Sequence, residues 1–223
     1  MGATLESPFQ WVDEPMMFQD RAAAALLLAR NLAEYRGQNP LILAIPRGAV
    51  PMGETIARQL GGELDIALVH KIGAPSNPEF AIGAVSESGD IIESEGFSHA
   101  SEKIIQQLAQ SEISALKKKR ECYSPFASPV DPEGRVVILV DDGIATGHTM
   151  RAAVELIRRR KPKKIIVCSP VASPAAVTQL GRIADQVVIL YAPLSFHSVG
   201  QFYKEFPQVT DEEVVRSLKM RRR

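Results

Sequence analysis

The chain has 223 residues, which is enough for one domain or for one domain with a modest cap. Its 26 basic residues balance 26 acidic ones, and a net charge of zero argues against nucleic acid or a membrane surface as the main partner. A hydrophobic content of 45% is ordinary for a globular protein. Two distant cysteines, Cys122 and Cys168, have no metal-binding spacing and indicate reduced thiols, with Cys168 in a core strand.

The N-terminal part is predicted to be an irregular arm followed by a helix. Residues 1–17 lack a periodic pattern, and Asp20 is the expected N-cap of a helix over residues 21–35 that stops at Gly37. No basic stretch precedes an apolar one here, and the apolar run 22–28 is too short to cross a bilayer. We therefore expect a cytoplasmic protein.

The first predicted strand, residues 41–45, leads into a short loop. The loop residues are Pro46, Arg47, Gly48 and Ala49, and a helix to residue 60 follows. A loop at the carboxyl end of a strand presents backbone N–H groups outside the sheet, and Arg47 adds a guanidinium, so the loop suits an anion. The alternative is a simple turn with Arg47 facing solvent.

The next segment is predicted to contain a strand, a loop and a hairpin. A strand over residues 64–69 leads to His70 and Lys71, and His70 is expected to be a structural residue at the strand end. Residues 72–79 contain two prolines and no periodicity, which predicts a mobile loop. Residues 80–86 and 90–93 predict a hairpin.

A long amphipathic helix is predicted after the hairpin. Ser101 is its expected cap, and it ends in the basic run 117–120. Cations are favourable at the C-terminus of a helix, so we interpret this run as a solvated face and not as a phosphate site. Residues 125–132 are expected to link it to the next strand.

The stretch of residues 136–149 carries the chemistry. Five apolar residues, 136–140, predict a buried parallel strand, and Asp141 and Asp142 follow at its carboxyl end. A short loop then enters a helix, and its residues are Gly143, Ile144, Ala145, Thr146, Gly147, His148 and Thr149. The free N–H groups of a helix N-terminus bind an anion. Two carboxylates repel a bare phosphate but suit sugar hydroxyls or a cation, so the pattern favours a ribose 5-phosphate.

The segment VVILVDDGIATGHT closely resembles the signature with which type I phosphoribosyltransferases bind phosphoribosyl pyrophosphate (PRPP). The shared pattern is an apolar strand, two acids, three residues and T-G-x-T, whereas Walker and Rossmann glycine patterns are absent. The resemblance spans most of residues 40–192. Strands that alternate with helices predict an α/β fold with a mostly parallel, doubly wound sheet. The resemblance implies three α/β/α layers with small hood and hairpin elements, in one domain with its core at about 18–192 and a hood at about 193–223.

The resemblance also implies an activity and its partners. PRPP would transfer ribose 5-phosphate to a nitrogenous base, purine or pyrimidine, with release of pyrophosphate and assistance from Mg²⁺. The small-molecule partners would be PRPP and a nucleobase, with neither nucleic acid nor membrane, and the protein would be a homodimer. Residues 72–79 resemble the lid of the family, which would shield the reacting centre from water.

Site roles follow from the same resemblance. Asp141 and Asp142 would hold the ribose diol, and Mg²⁺ would bind mainly through PRPP and water, with these two acids as its candidate protein ligands. The loop 143–149 would hold the 5-phosphate, and the loop 46–49 would hold pyrophosphate. Arg47 and Lys71 would offset the charge that develops on pyrophosphate.

The C-terminal part completes the sheet and adds aromatic residues. Strands are predicted over residues 164–169 and 186–190, with a helix capped by Ser173 between them, and a capping box at 210–213 starts a final helix. The candidates for stacking on a base are Phe196, Phe202 and Tyr203. The alternative for each ring is a packing role in the core.

Several functions remain open at this stage. Ala145 stands where hypoxanthine-guanine enzymes carry an acid immediately before T-G, so a mechanism with that acid as general base is in doubt. The motif A-T-G-x-T-M is slightly closer to that of the adenine type. A non-catalytic protein that senses PRPP or a nucleotide would use the same fold. A phosphatase with Asp141 as nucleophile lacks the D-x-D-x-[TV] wording, and a serine hydrolase lacks G-x-S-x-G.

Overall fold

Apolar runs form the strands of the main sheet, as expected where both faces of a parallel sheet are buried. The computed structural model describes residues 16–74, 77–93, 102–125 and 129–220. Its parallel strands are β1 (Leu41–Ala44), β2 (Glu63–Ile66), β6 (Val136–Val140), β7 (Lys164–Val171) and β8 (Gln186–Tyr191). Their spatial order is β2-β1-β6-β7-β8.

Helices cover both faces of this sheet. Ile42 and Ile138 belong to one core, whereas Leu43 and Leu139 belong to another, because side chains alternate along a strand. The first core also takes residues from α1 (Arg21–Asn31), α2 (Val50–Leu60), α3 (Glu102–Tyr123) and α6 (Asp211–Met220). The second takes residues from α4 (His148–Arg158) and α5 (Pro174–Leu180). The predicted three-layer α/β/α fold with a doubly wound parallel sheet is therefore confirmed.

The strand order reverses between β1 and β6. These two strands are parallel neighbours, with Leu41 opposite Val137 and Ala44 opposite Val140. The chain passes from β1 to β2 on one side and from β6 to β7 on the other. Such a reversal opens a crevice outside the carboxyl ends of the two strands, where ligands bind in sheets of this kind.

A second, antiparallel sheet replaces the predicted loop. It consists of β3 (Val69–Ala74), β4 (Asn77–Ser86) and β5 (Ile91–Glu93), in that order. The prediction of a loop over residues 72–79 is wrong for the described part, because β3 and β4 pair from Val69 opposite Ser86 to Ala74 opposite Asn77. Pro78 falls where the register shifts, so its missing N–H breaks no regular ladder. The predicted hairpin of β4 and β5 is confirmed.

Local capping signals agree with the observed helix starts. The Asp20 carboxylate accepts from the N–H of Ala23 at 2.7 Å, and Ser173 Oγ accepts from the N–H of Ala176 at 3.1 Å. Thr210 and Glu213 form the predicted capping box. The first helix is shorter than expected, since it ends at Asn31 and continues only as a 3₁₀ turn over Ala33–Tyr35.

Some sequence predictions fall outside the described residues, namely the Ser101 cap and most of the N-terminal arm. Cys168 is buried in β7, as predicted, and Cys122 is exposed. His70 contacts Glu112 on α3 at 3.0 Å, which agrees with a structural role. In the ranges that the structure describes, no helix has the length and apolar character needed to cross a membrane.

Candidate active site

Two loops meet at the carboxyl edge of β1 and β6. The loop 46–49 follows β1, and Asp141 and Asp142 follow β6. The contact between them is made at Gly48, where a Cβ atom would lie only 1.9 Å from Asp142 Oδ2. The tertiary structure therefore brings together two segments of the chain. The resemblance implied that one of them binds pyrophosphate and the other binds ribose.

The two acids occupy different environments. The backbone N–H of Asp142 donates to Asp141 Oδ1 at 2.8 Å, which orients the Asp141 side chain. Burial and the neighbouring Asp142 carboxylate raise the pKa of Asp141 well above its ordinary value. Asp142 instead contacts a cation, since Arg21 Nε lies 2.9 Å from its Oδ2. Carboxylate oxygens accept hydrogen bonds from hydroxyl groups, so the pair can bind the hydroxyls of a sugar.

Helices α2 and α4, which follow the two loops, start without a side-chain cap. The N-caps are Ala49 for α2 and Gly147 for α4, and neither makes a capping hydrogen bond. By contrast, the starts of α1, α5 and α6 are capped by Asp20, Ser173 and Thr210. At α2 the N–H of Val50 donates to the carbonyl of Arg47 at 3.1 Å and Pro51 has no N–H, so this start offers an anion few donors. The first N–H groups of α4 lack the acceptor that a capping side chain supplies at α5, which suits them to bind an anion.

The loop between β6 and α4 is held to β7 by backbone hydrogen bonds. Ile144 donates to the carbonyl of Val171 at 2.9 Å and accepts from the N–H of Ser173 at 2.9 Å. Ser173 Oγ donates to the carbonyl of Ala145 at 2.6 Å. Gly147 has φ of 76°, which glycine adopts without strain, and turns the chain into α4. The exposed residues of the loop are Ala145, Thr146, His148 and Thr149.

Arg47 lies in the first loop but makes an ion pair outside it. Its Nη1 is 3.4 Å from Asp211 Oδ1 at the start of α6. Tyr123 Oη donates to the same carboxylate oxygen at 2.8 Å. These two contacts lower the pKa of Asp211, with the Tyr123 hydrogen bond as the larger cause. Arg47 is about one-third exposed, so its guanidinium can also meet a ligand.

Lys71 lies on β3 of the small sheet and is exposed. It therefore does not extend from the main sheet, as the predicted strand over residues 64–69 implied. That strand is divided, because β2 ends at Ile66 and β3 begins at Val69. The role of Lys71 at pyrophosphate stays a prediction.

Asp141 and Asp142 are suitable oxygen donors for Mg²⁺. Within the described ranges, no cluster of three or more His, Cys, Asp and Glu residues could hold a metal ion. A Mg²⁺ at this edge of the sheet would have Asp141 and Asp142 as its candidate protein ligands, and a phosphorylated substrate and water would supply the others. Such an ion would neutralise charge on the leaving phosphate groups.

Two of the three stacking candidates are core residues. Phe202 and Tyr203 are 6% and 5% exposed, so neither has an open ring face for a base, and the predicted stacking role does not fit their burial. The Tyr203 ring stacks on Phe206 at 4.8 Å between centroids. Tyr203 Oη donates to the carbonyl of Asp142 at 2.6 Å. Phe196 is only partly buried, against Phe202 at 5.2 Å, and stays a candidate.

Sequence reasoning missed two arginines. Arg21 contacts Asp142 although the residues are 121 positions apart, and no motif surrounds it. Arg120 was expected on a solvated face but is buried, with Nη1 2.6 Å from Asp65 and Nε 2.6 Å from Glu87. Arg120 is the last residue of a basic run, and nothing in the local sequence distinguishes it from its solvent-exposed neighbours as the partner of two buried acids. The three buried groups border a cavity of about 560 Å³, whose lining includes no residue of the two loops.

Comparisons with known proteins agree with this geometry. A family model described as the phosphoribosyl transferase domain matches residues 16–180. A protein of Mycobacterium tuberculosis that carries the provisional name phosphoribosyl transferase is 33% identical over 205 residues, covering 89% of this chain and 46% of its own length. The chain thus spans about half the length of these curated relatives. A ribose-phosphate pyrophosphokinase of Prochlorococcus marinus is 26% identical over 146 residues, covering 59% of this chain and 42% of its own length.

A solved structure resembles the whole described fold. The crystal structure of the protein TT1426 from Thermus thermophilus is 42% identical, covers 91% of this chain and 98% of its own, and superimposes with a TM-score of 0.84. The resemblance first seen in the segment VVILVDDGIATGHT is confirmed by the family model, which extends it to residues 16–180. On the match over residues 16–180 and the relatives above, the chain belongs to the phosphoribosyl transferase domain family.

Proposed function

We propose that the protein is a PRPP-dependent phosphoribosyltransferase that moves ribose 5-phosphate to a nitrogenous base and releases pyrophosphate, with Mg²⁺ as cofactor. The observation that carries this proposal is the contact of the two loops at Gly48 and Asp142. It brings the loop 46–49 against the acid pair, and the chain continues from that pair into α4, whose start lacks a side-chain cap. PRPP has the same sequence of groups: a phosphate, a diol and a pyrophosphate.

Each group of PRPP has a matching partner in this crevice. The N–H groups at the start of α4 would bind the 5-phosphate, because the helix dipole favours an anion there. Asp141 and Asp142 would bind the ribose hydroxyls. Arg47 and the loop 46–49 would bind pyrophosphate and stabilise the charge that it gains as it leaves. The protein would therefore act by positioning and electrostatics.

The acceptor base is the open part of the proposal. Ala145 is exposed in the loop and has no proton acceptor in its side chain, which argues against a base-activating acid at this position. Phe196 is the remaining aromatic candidate for contact with the base. A homodimer and a cytoplasmic location stay predictions. Light scattering of the purified protein would test the oligomeric state.

The direct test is incubation with PRPP, Mg²⁺ and a panel of purine and pyrimidine bases, with detection of pyrophosphate. Pyrophosphate release that depends on one base would support the enzyme and identify its acceptor. PRPP binding without release across the panel would favour the alternative, a sensor on the same fold. Absence of PRPP binding would overturn both.

A further inference from the structure

Arg21 makes three different contacts with its guanidinium. Nε donates to Asp142 Oδ2 at 2.9 Å, and Nη1 donates to the carbonyl of Pro207 at 2.6 Å. The guanidinium carbon lies 3.7 Å from the centroid of the Phe206 ring. The side chains of Arg21 and Asp142 are only 12% and 16% exposed. A guanidinium with both edges and one face engaged has a well-defined orientation.

The contacts of Arg21 join three parts of the chain that are distant in sequence. Arg21 is the first residue of α1, and the hydrogen bond from Ala23 to Asp20 fixes this helix start. Asp142 belongs to the acid pair, and Phe206 and Pro207 belong to the segment between β8 and α6, here called the hood segment (residues 193–210). Arg21 therefore connects the acid pair directly to the hood segment.

A second connection runs between the same two parts. Tyr203 in the hood segment donates from Oη to the carbonyl of Asp142 at 2.6 Å, and its ring stacks on Phe206. The Phe206 ring thus lies between Tyr203 and Arg21. Asp142 is held by its backbone through Tyr203 and by its side chain through Arg21, and Gly48 closes the remaining space beside Oδ2.

We propose that Arg21 is a positioning residue that fixes the carboxylate of Asp142 for the ribose hydroxyls and makes this position depend on the hood segment. The proposal rests on the function proposed above. Arg21 acts through Asp142, because its Nε donates to the Asp142 carboxylate while its Nη1 donates to the carbonyl of Pro207. A carboxylate held in one orientation loses less conformational freedom when it binds a ligand, so affinity is gained by preorganisation.

The first experiment measures the dissociation constant of PRPP with Mg²⁺ by calorimetry in the full chain. Arg21→Met keeps much of the side-chain length and removes the charge. We expect it to weaken PRPP binding by about 10- to 100-fold, the usual effect of losing a charged hydrogen bond or an orienting partner. Arg30→Met is the matched control, because Arg30 is an exposed cation on the same helix, and its dissociation constant should stay that of the wild type.

A rescue experiment separates positioning from a general loss of structure. Added guanidinium at low millimolar concentration should restore part of the PRPP affinity of Arg21→Ala but leave the wild type unchanged, because the ion can occupy the vacated place beside Asp142. The midpoints of thermal unfolding of Arg21→Met and Arg21→Ala would also be measured. Unchanged PRPP affinity in Arg21→Met, while the wild type binds PRPP, would overturn this inference and leave the proposed function intact. A wild type that does not bind PRPP would instead overturn the proposed function and, with it, the positioning role of Arg21.

The connection between Arg21 and the hood segment can also be tested without a ligand. Lys204 is exposed, and its backbone N–H donates to the carbonyl of Phe18 close to Arg21. We expect trypsin to cut after Lys204 several-fold faster in Arg21→Met than in Arg30→Met, because the hood segment loses its contacts with α1. Equal cutting rates in the two variants would show that Arg21 does not hold the hood segment.

Discussion

Gly48 is the residue at which the two loops touch. Its φ lies outside the left-handed region, so the backbone alone would accept another residue. The space around Gly48 does not accept a larger residue, because a Cβ atom would overlap Asp142 Oδ2 and lie 3.3 Å from Arg21 Nη2. Glycine at this position therefore serves close approach between the two loops, not conformational freedom.

We expect Gly48→Ala to weaken PRPP binding by about tenfold or more, because overpacking by one methyl group costs about 1 to 3 kcal/mol and must displace either Asp142 or the loop. Calorimetry with PRPP and Mg²⁺ would measure the effect. Gly181→Ala is the control, since its new Cβ would also be crowded, at 3.3 Å from the carbonyl of Val177, but far along the chain from both loops. Equal affinities in the two variants would contradict the role given to Gly48.

Arg120 is a buried charge that compensates two buried acids. Asp65 is 1% exposed and Glu87 is 9% exposed, and both contact the guanidinium. Burial raises the pKa of Glu87, although Arg120 acts in the opposite direction. Loss of Arg120 would leave both carboxylates without their cation in a region that water reaches poorly.

We expect Arg120→Met to lower the free energy of unfolding by about 3 to 5 kcal/mol at neutral pH, the usual cost of removing one partner from a buried ion pair. The folded pKa of Glu87 lies above its unfolded value of 4.5, so the folded state binds this proton more tightly. The loss of stability should therefore shrink as pH falls through the folded pKa toward that value. Urea denaturation at several pH values would measure it.

Lys118→Met is the control for this substitution. Lys118 is an exposed residue half a turn earlier on α3, so its loss should change stability by no more than about 0.5 kcal/mol. Similar and small losses in both variants would mean that the guanidinium of Arg120 contributes little to the fold.

At the scale of elements, the helix starts divide into two kinds. At α1, α5 and α6 a backbone N–H of the first turn donates to the side chain of the capping residue. The starts of α2 and α4, which follow the loops of the candidate site, have no such hydrogen bond. A capping side chain at α4 would compete with an anion for the same N–H groups, so its absence there suits ligand binding.

We expect PRPP with Mg²⁺ to slow amide hydrogen exchange at the start of α4, at Thr149 and Met150, because a bound phosphate would accept from these N–H groups. The start of α5 is the internal control. Its N–H group at Ala176 is already bonded to Ser173 and should exchange at the same rate with and without ligand. Slowing at α5 but not at α4 would contradict the proposed phosphate site.

At the scale of the whole molecule, the C-terminal segment closes back on the start of the described fold. Phe18 donates from its backbone to Phe202 at 2.8 Å and accepts from Lys204 at 2.9 Å. The division into a core at about 18–192 and a hood at about 193–223 within one domain stays a prediction.

We expect PRPP with Mg²⁺, at 100 times its dissociation constant, to raise the thermal midpoint by about 5 to 10 °C, since such binding adds about 2.7 kcal/mol to a protein of this size. The double variant Asp141→Asn with Asp142→Asn should stay folded and show no shift, because asparagine keeps the shape of each acid but not its charge. Circular dichroism would confirm its fold. A full shift in this variant would remove both acids from the ribose role.

Much of the fold could be predicted from the sequence because its signals are local. The run of residues 136–140 forms β6 with the predicted bounds, and the caps at Asp20, Ser173 and Thr210 lie where their side chains indicated. Apolar runs and caps act within a few residues of one another, so they can be recognised without a tertiary structure. The acid pair and the glycine-containing loop are local in the same sense.

Only the tertiary structure decided the long-range contacts. It brought Arg21 to Asp142, buried Arg120 between Asp65 and Glu87, and placed Tyr203 in the core instead of at a base. It also paired β3 with β4 where two prolines suggested a loop. Each outcome depends on which distant segments pack together. Free energy from such packing overrides local preference, and a pattern of neighbouring residues carries no record of it.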